Sequence, residues 1–348
     1  MEKYLNTIID DIKPLNLESM IVAKRKLDGL TKPVGSLGEL EAICIKLAGI
    51  YETADLDVSS KCVVAFAGDH GVYEEGVSAD PQFITAAQIP NFAKEICAVG
   101  TLAKLYGAKI VAVDVGVNTT EVLEGVIDRK IRRGTFNMHK GPAMTRAEAI
   151  KSIAIGIETV HNIVISDQIK VVSIGEMGIG NTTPSSAIVS VYGECDPKYV
   201  TGKGAGLNTD QIIHKANIIR ESIELNLPNK HDPIDVLTKI GGFEIGAMAG
   251  AIIGAASKRV PVVLDGFISY AAALIAKGLS EVSTEYMIAS HYSAEPGTVK
   301  ALEILGLTAP IHLDMRLGEG VGGVMFFPIL DAGVYLYNNM ATREESNC

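Results

Sequence analysis

Six short runs rich in valine, isoleucine and alanine punctuate this chain, at residues 62–67, 110–115, 171–174, 260–264, 286–289 and 310–313. Most are continuously apolar instead of alternating, and glycine or polar residues bound them, the pattern of a strand buried on both faces. Helix-length segments lie between most of them, at 85–106, 146–164, 210–225 and 242–257. Strands without a solvent face, alternating with helices, leave few architectures open. The prediction is an α/β chain with a mostly parallel sheet of about six strands, flanked by helices on both sides. The first 52 residues read differently. MEKYLNTIIDDI and GELEAICIKLAGIYE carry apolar residues at helical spacing, with a Pro33-containing loop between them.

Polar residues recur just beyond the apolar runs. Asp69 and His70 follow the first, Asp114 lies in the second, and Glu176 follows the third. Asp265 follows the fourth, His291, Ser293 and Glu295 the fifth, and Asp314, Arg316 and Glu319 the sixth. In an open α/β sheet ligands bind at the carboxyl ends of the strands. The pattern points to an enzyme acting on a small molecule. The net charge of −10, with no Lys/Arg cluster, argues against nucleic acid as a partner. Cys44, Cys62, Cys97, Cys195 and Cys348 are scattered with no metal-ligand spacing, as in a reduced, cytoplasmic protein. The opening residues are too polar for a signal peptide. The most apolar stretch, 245–256, is too short for a membrane span, so no membrane is expected.

Three glycine-rich stretches carry candidate chemistry. In GEMGIGNTTP, Glu176 precedes Gly178 and Gly180. Asn181, Thr182 or Thr183 can cap a helix whose first turn takes Pro184. Free N–H groups at such a helix start attract phosphate, although the stretch also reads as an ordinary strand, turn and helix. VTGKGAGLNTDQIIHK is a second turn into a helix. Its Lys203 and Lys215 can neutralise a phosphate or sit on a solvated face. In RLGEGVGG, glycines flank Glu319 and allow a ligand to approach closely. A carboxylate so confined has a raised pKa and suits a general base. GGFEIGAMAGAIIGAAS is a small-residue helix suited to close packing, with Glu244 in its first turn.

LTKPVGSLGELE, FAGDHGV, GEMGIGNTT, GGFEIGAMAGA, LDGF, SAEPG and LGEGVGG follow one another between residues 30 and 323. Together they resemble the nicotinate-nucleotide:dimethylbenzimidazole phosphoribosyltransferases of cobamide assembly, over nearly the whole chain. The resemblance implies a Rossmann-like large catalytic domain over 55–325. It also implies a small helical domain made of 1–54 with 326–348. The implied reaction moves 5-phosphoribosyl from nicotinate mononucleotide to a lower-ligand base, without metal or other cofactor, in a dimer. By the same resemblance Glu319 is the catalytic base and Glu176 the second functional carboxylate. Gly178, Gly180, Asn181, Thr182, Lys215 and Ser293 hold the nucleotide. Asp265 and Glu244 line the site.

One stretch departs from the family pattern. The family reads close to S-x-P-Q-x-V-T-x-Q-M-V-x-N-F, and its Gln contacts the acceptor. Here the row is SADPQFITAAQIPNF, starting at Ser78. Aligned on Thr85, Asn91 and Phe92, the Gln position is Ala87, with Gln88 one residue later. One residue on a helix is about 100° of rotation, so Gln88 is expected to point elsewhere. The acceptor pocket of Ser78, Ala87 and Gln88 is thus expected to take dimethylbenzimidazole or a phenolic such as phenol or p-cresol. Phenol-using relatives are heterodimers, so this chain is expected as a homodimer or paired with a related chain. The alternative is a non-catalytic subunit that binds nucleotide and supports a partner. Retention of Glu176 and Glu319 argues against it.

Overall fold

The computed structural model describes residues 1–346; Cys348 lies outside them. Among the described residues one sheet contains β1 (Lys61–Gly68), β2 (Lys109–Gly116), β3 (Ile127–Asp128), β4 (Val171–Met177), β5 (Val262–Leu264) and β6 (Met287–Ala289). The strands lie side by side as β3, β2, β1, β4, β5, β6, and every pair is parallel. This is the order of doubly wound dinucleotide-binding folds. The chain runs outward from β1 to β3, then returns to β4 on the other side of β1. The crevice between β1 and β4 is therefore the switch point where a ligand fits. In the register there, Phe66 lies opposite Glu176 and Ala67 opposite Met177.

Successive residues of β1 enter different cores, as the two-residue period of a strand requires. Cys62, Val64 and Phe66 pack under the helices Arg146–Asp167, Phe243–Ser257 and Phe267–Leu279. Val63, Ala65 and Ala67 pack with the helices Leu17–Asp28, Glu39–Tyr51 and Val321–Asn339. Helices from both ends of the chain thus build the second face. Two helices, Arg146–Asp167 and Val321–Asn339, are long and apolar enough to cross a membrane. Both exceed the dozen-residue stretch singled out in the sequence, and more than half of each apolar window is buried inside the protein.

Three sequence expectations need correction. Residues 310–313 are not a strand: Ile311 makes one isolated parallel bridge to His291, and Pro310 has no N–H to offer a ladder. The sixth strand is instead Ile127–Asp128, too short to show any periodicity. The segment 85–106 is two helices, Ile84–Ala93 and Ala98–Leu105. The first ends soon after Pro90, which cannot donate a helical hydrogen bond.

Candidate active site

Glu176 lies near the end of β4, and Gly178 and Gly180 follow it into the helix Thr182–Gly193. Asn181 occupies the N-cap position, but its side chain does not cap. Its Nδ2 donates to Glu176 Oε2 instead. The diversion serves two ends. It fixes the carboxylate, and it leaves the helix without a side-chain cap: Thr183 N–H is taken by Gly180 O and Pro184 has no N–H, so Thr182 N–H is the donor left at the start of the helix. The cleft is walled by Glu176, Gly178, Gly180, Asn181, Thr182, Asp265, Ser293 and Glu319 among others. It opens at the carboxyl ends of β4, β5 and β6.

The Glu319 turn comes from the opposite side. Gly318, Glu319 and Gly320 all have left-handed backbones, with φ of 81°, 64° and 92°. Glycine adopts this freely; a glutamate does not and has to be held there. Asp265 is the holder. Its Oδ2 accepts from Gly320 N at 3.0 Å and its Oδ1 from Gly322 N at 2.6 Å. Glu176 Oε1 accepts from the Glu319 N–H itself at 3.3 Å. Gly322 is required by close approach, since a Cβ there would overlap the His291 ring. Asp265 therefore braces the Glu319 turn while also walling the cleft.

Burial dominates the acid–base state of these groups. It pushes Glu176 up to about 8, and the charge of Asp265 adds to the push. Burial also raises Glu319, against the pull of a hydrogen bond from Gln88. Asp265 is raised by burial too, with His291 and the backbone donors opposing. Three confined carboxylates at one edge of a sheet discourage one another's ionisation.

Gln88 does not point elsewhere, as the sequence led one to expect, but lines the cleft. It sits in the helix Ile84–Ala93, one turn from Ile84, and both side chains line the cleft with Ser78. Gln88 Nε2 donates to Glu319 Oε1 at 2.8 Å, and Asn91 Nδ2 donates to Gln88 Oε1 at 3.1 Å. Ala87 is exposed and forms no part of the wall. Neighbouring helical residues do point in different directions, and the one that lines the cleft and reaches Glu319 is Gln88. Glu319 Oε2, by contrast, is buried and has no hydrogen-bond partner.

Lys215 is fully buried, and its Nζ donates to Thr182 Oγ1 at 2.6 Å. It stands behind the cleft wall, acting through Thr182. Burial pushes its ammonium down to about 8, against the attraction of Glu295. Lys203 is exposed. Glu244 is not on the wall either: it is wholly buried, with Oε1 2.8 Å from His70 Nε2. Burial opposes a charge on His70, but Glu244 and Asp69 outweigh it and raise its pKa. Asp114 is structural, accepting from Gly116 and Val117 N–H. Sequence reasoning noted His291, Glu295 and Arg316 as polar strand-end residues without choosing them for the site; all three wall the cleft, as does Asp80. Glu295 stood inside the quoted SAEPG motif, which was signal enough to find it.

A family model described as phosphoribosyltransferase matches residues 12–348. The chain is 55% identical over 341 residues to a nicotinate-nucleotide–dimethylbenzimidazole phosphoribosyltransferase of Clostridioides difficile (strain 630), covering 98% of each. A protein of the same name from Alkaliphilus metalliredigens (strain QYMF) is 48% identical, again with 98% of each chain covered. Among solved structures, CobT from Thermus thermophilus superposes with a TM-score of 0.90 at 34% identity, covering 95% of this chain and 98% of that one.

Proposed function

We infer the reaction from one premise: this chain belongs to the phosphoribosyltransferase family. It moves the 5-phosphoribosyl group of nicotinate mononucleotide to dimethylbenzimidazole, yielding an α-ribotide and nicotinate. The observation that carries the mechanism is the state of Glu319. One carboxylate oxygen is held by Gln88, and the other is buried, unpartnered and part of the cleft wall. A benzimidazole N–H is too weak an acid to ionise freely at neutral pH. Glu319 takes that proton while the other ring nitrogen attacks C1′. Nicotinate leaves from a cationic pyridinium and needs little acid assistance. Attack from the opposite face converts the β-nucleotide to an α-product. Positive charge builds on the ribosyl carbon; Glu176, pushed up to about 8 by burial, offers it a carboxyl oxygen dipole when protonated and a full counter-charge once that cation draws its proton off. Thr182, through its hydroxyl and its N–H at the helix start, holds the phosphate with Ser293 and Lys215.

An amide from Gln88 on Glu319 and the names of the relatives support dimethylbenzimidazole over a phenolic acceptor. Purified protein offered nicotinate mononucleotide with dimethylbenzimidazole, phenol or p-cresol should ribosylate the first efficiently. Turnover of the phenols alone would overturn the acceptor assignment. No turnover of any acceptor by this chain by itself would favour the non-catalytic subunit. The reading includes action in the cytoplasm, supported by the free thiols of Cys44, Cys62, Cys97 and Cys195. It also includes a dimer, of two copies or of this chain with a related one; light scattering on the purified chain separates these.

A further inference from the structure

The end of the cleft assigned to the phosphate holds a carboxylate that anion binding does not call for. Glu295 is 6% exposed and walls the cleft beside Ser293, Gly204 and Ala205. Its Oε1 accepts from Gly204 N at 3.0 Å, and its Oε2 is buried with no hydrogen-bond partner. The turn it grips closes on itself, with Gly206 and Leu207 N–H both donating to Lys203 O at 3.0 and 2.9 Å. A side chain at Gly202 would collide with the Glu295 carboxylate. One at Gly204 would lie 2.9 Å from Thr182 Oγ1 and 3.4 Å from Lys215 Nζ. The turn is thus wedged between Glu295 on one side and Thr182 with Lys215 on the other.

A phosphate seated against Thr182 meets a like charge across a single turn, and in a buried site that repulsion is strong. Gripping Gly204 does not require the charge, since an amide oxygen accepts the same hydrogen bond. Substrate and product both carry this phosphate. A subsite that holds it equally in both gains no rate from tightness and retains its product.

We propose that Glu295 is a positioning residue of the phosphate subsite, whose Oε1 sets the 202–207 turn and whose charge keeps the subsite loose enough to release phosphorylated product. The proposal rests on the assignment of the phosphate to Thr182 and Lys215. Glu295→Gln retains an acceptor for Gly204 and puts an N–H donor in place of the unpartnered oxygen. The bound phosphate then supplies the negative charge that Lys215 has lost. With this variant, both the KM for nicotinate mononucleotide and the inhibition constant of the α-ribotide should fall by about tenfold. Glu295→Ala frees the turn, and the same KM should rise. A carboxylate that is merely structural would raise KM in both variants. Unchanged or raised constants in Glu295→Gln overturn the proposal. Lys215→Ala run in parallel should raise the nucleotide KM; an unchanged value there overturns the phosphate subsite itself, and this proposal with it.

Discussion

Glu319 shows how much of this site depends on the placement of single atoms. Its side chain carries one engaged oxygen and one idle one, on a backbone that a glutamate rarely adopts. An idle, buried carboxylate oxygen is costly to leave unpaired, and in the proposed reaction the acceptor base supplies its missing partner. Glu319→Gln preserves size and the contact with Gln88 but cannot take a proton. Transfer should fall by about 10²- to 10⁴-fold, with the circular dichroism spectrum and Tm close to wild type. Unchanged turnover in that variant would remove Glu319 from the chemistry. Asn181 teaches a related lesson. Its position marked it as a cap, yet its amide nitrogen donates to Glu176, and the amide orientation that this bond fixes does not bring Oδ1 onto a helix N–H.

The helices Arg146–Asp167 and Phe243–Ser257 form the tightest pair among the elements. A Cβ on Gly250 would overlap the Ile153 carbonyl oxygen, so the two backbones touch at that point. GGFEIGAMAGAIIGAAS was legible as a close-packing helix from its small residues alone. Its partner was not, because small residues permit close approach without naming what approaches. Gly250→Ala should destabilise by about 1–3 kcal/mol through overpacking, measured by denaturant unfolding. An unaffected midpoint would mean that the helices separate without penalty. The largely apolar runs at 62–67, 110–115, 171–174, 260–264 and 286–289 were equally legible, each coinciding with a strand. Residues 127–128 were not, since two residues carry no period, and 310–313 misled because an apolar run says nothing about whether a ladder partner is within reach.

At the scale of the molecule, the sheet order brings side chains from residues 88, 176, 265 and 319 into one enclosed edge, where burial governs their protonation. Glu319 must be ionised to act as a base. Its pKa is raised above the ordinary 4.5, so the active form persists above that raised value and is lost as pH falls through it. The acid limb of kcat/KM should therefore lie above the ordinary glutamate range. A limb at or below 4.5 would contradict a buried base. The sequence by itself determined the α/β class, most of the strands and the carboxylates that gather at their ends, because apolar runs and glycine-flanked acids are local patterns. Only the tertiary structure decided that Gln88 and not Ala87 reaches Glu319, that Asp265 braces the Glu319 turn, and that Glu295 faces Thr182 and Lys215 across a turn. Each of these is a contact between residues far apart in the chain. Such contacts depend on helix rotation and sheet order, which the local spacing of residues does not encode.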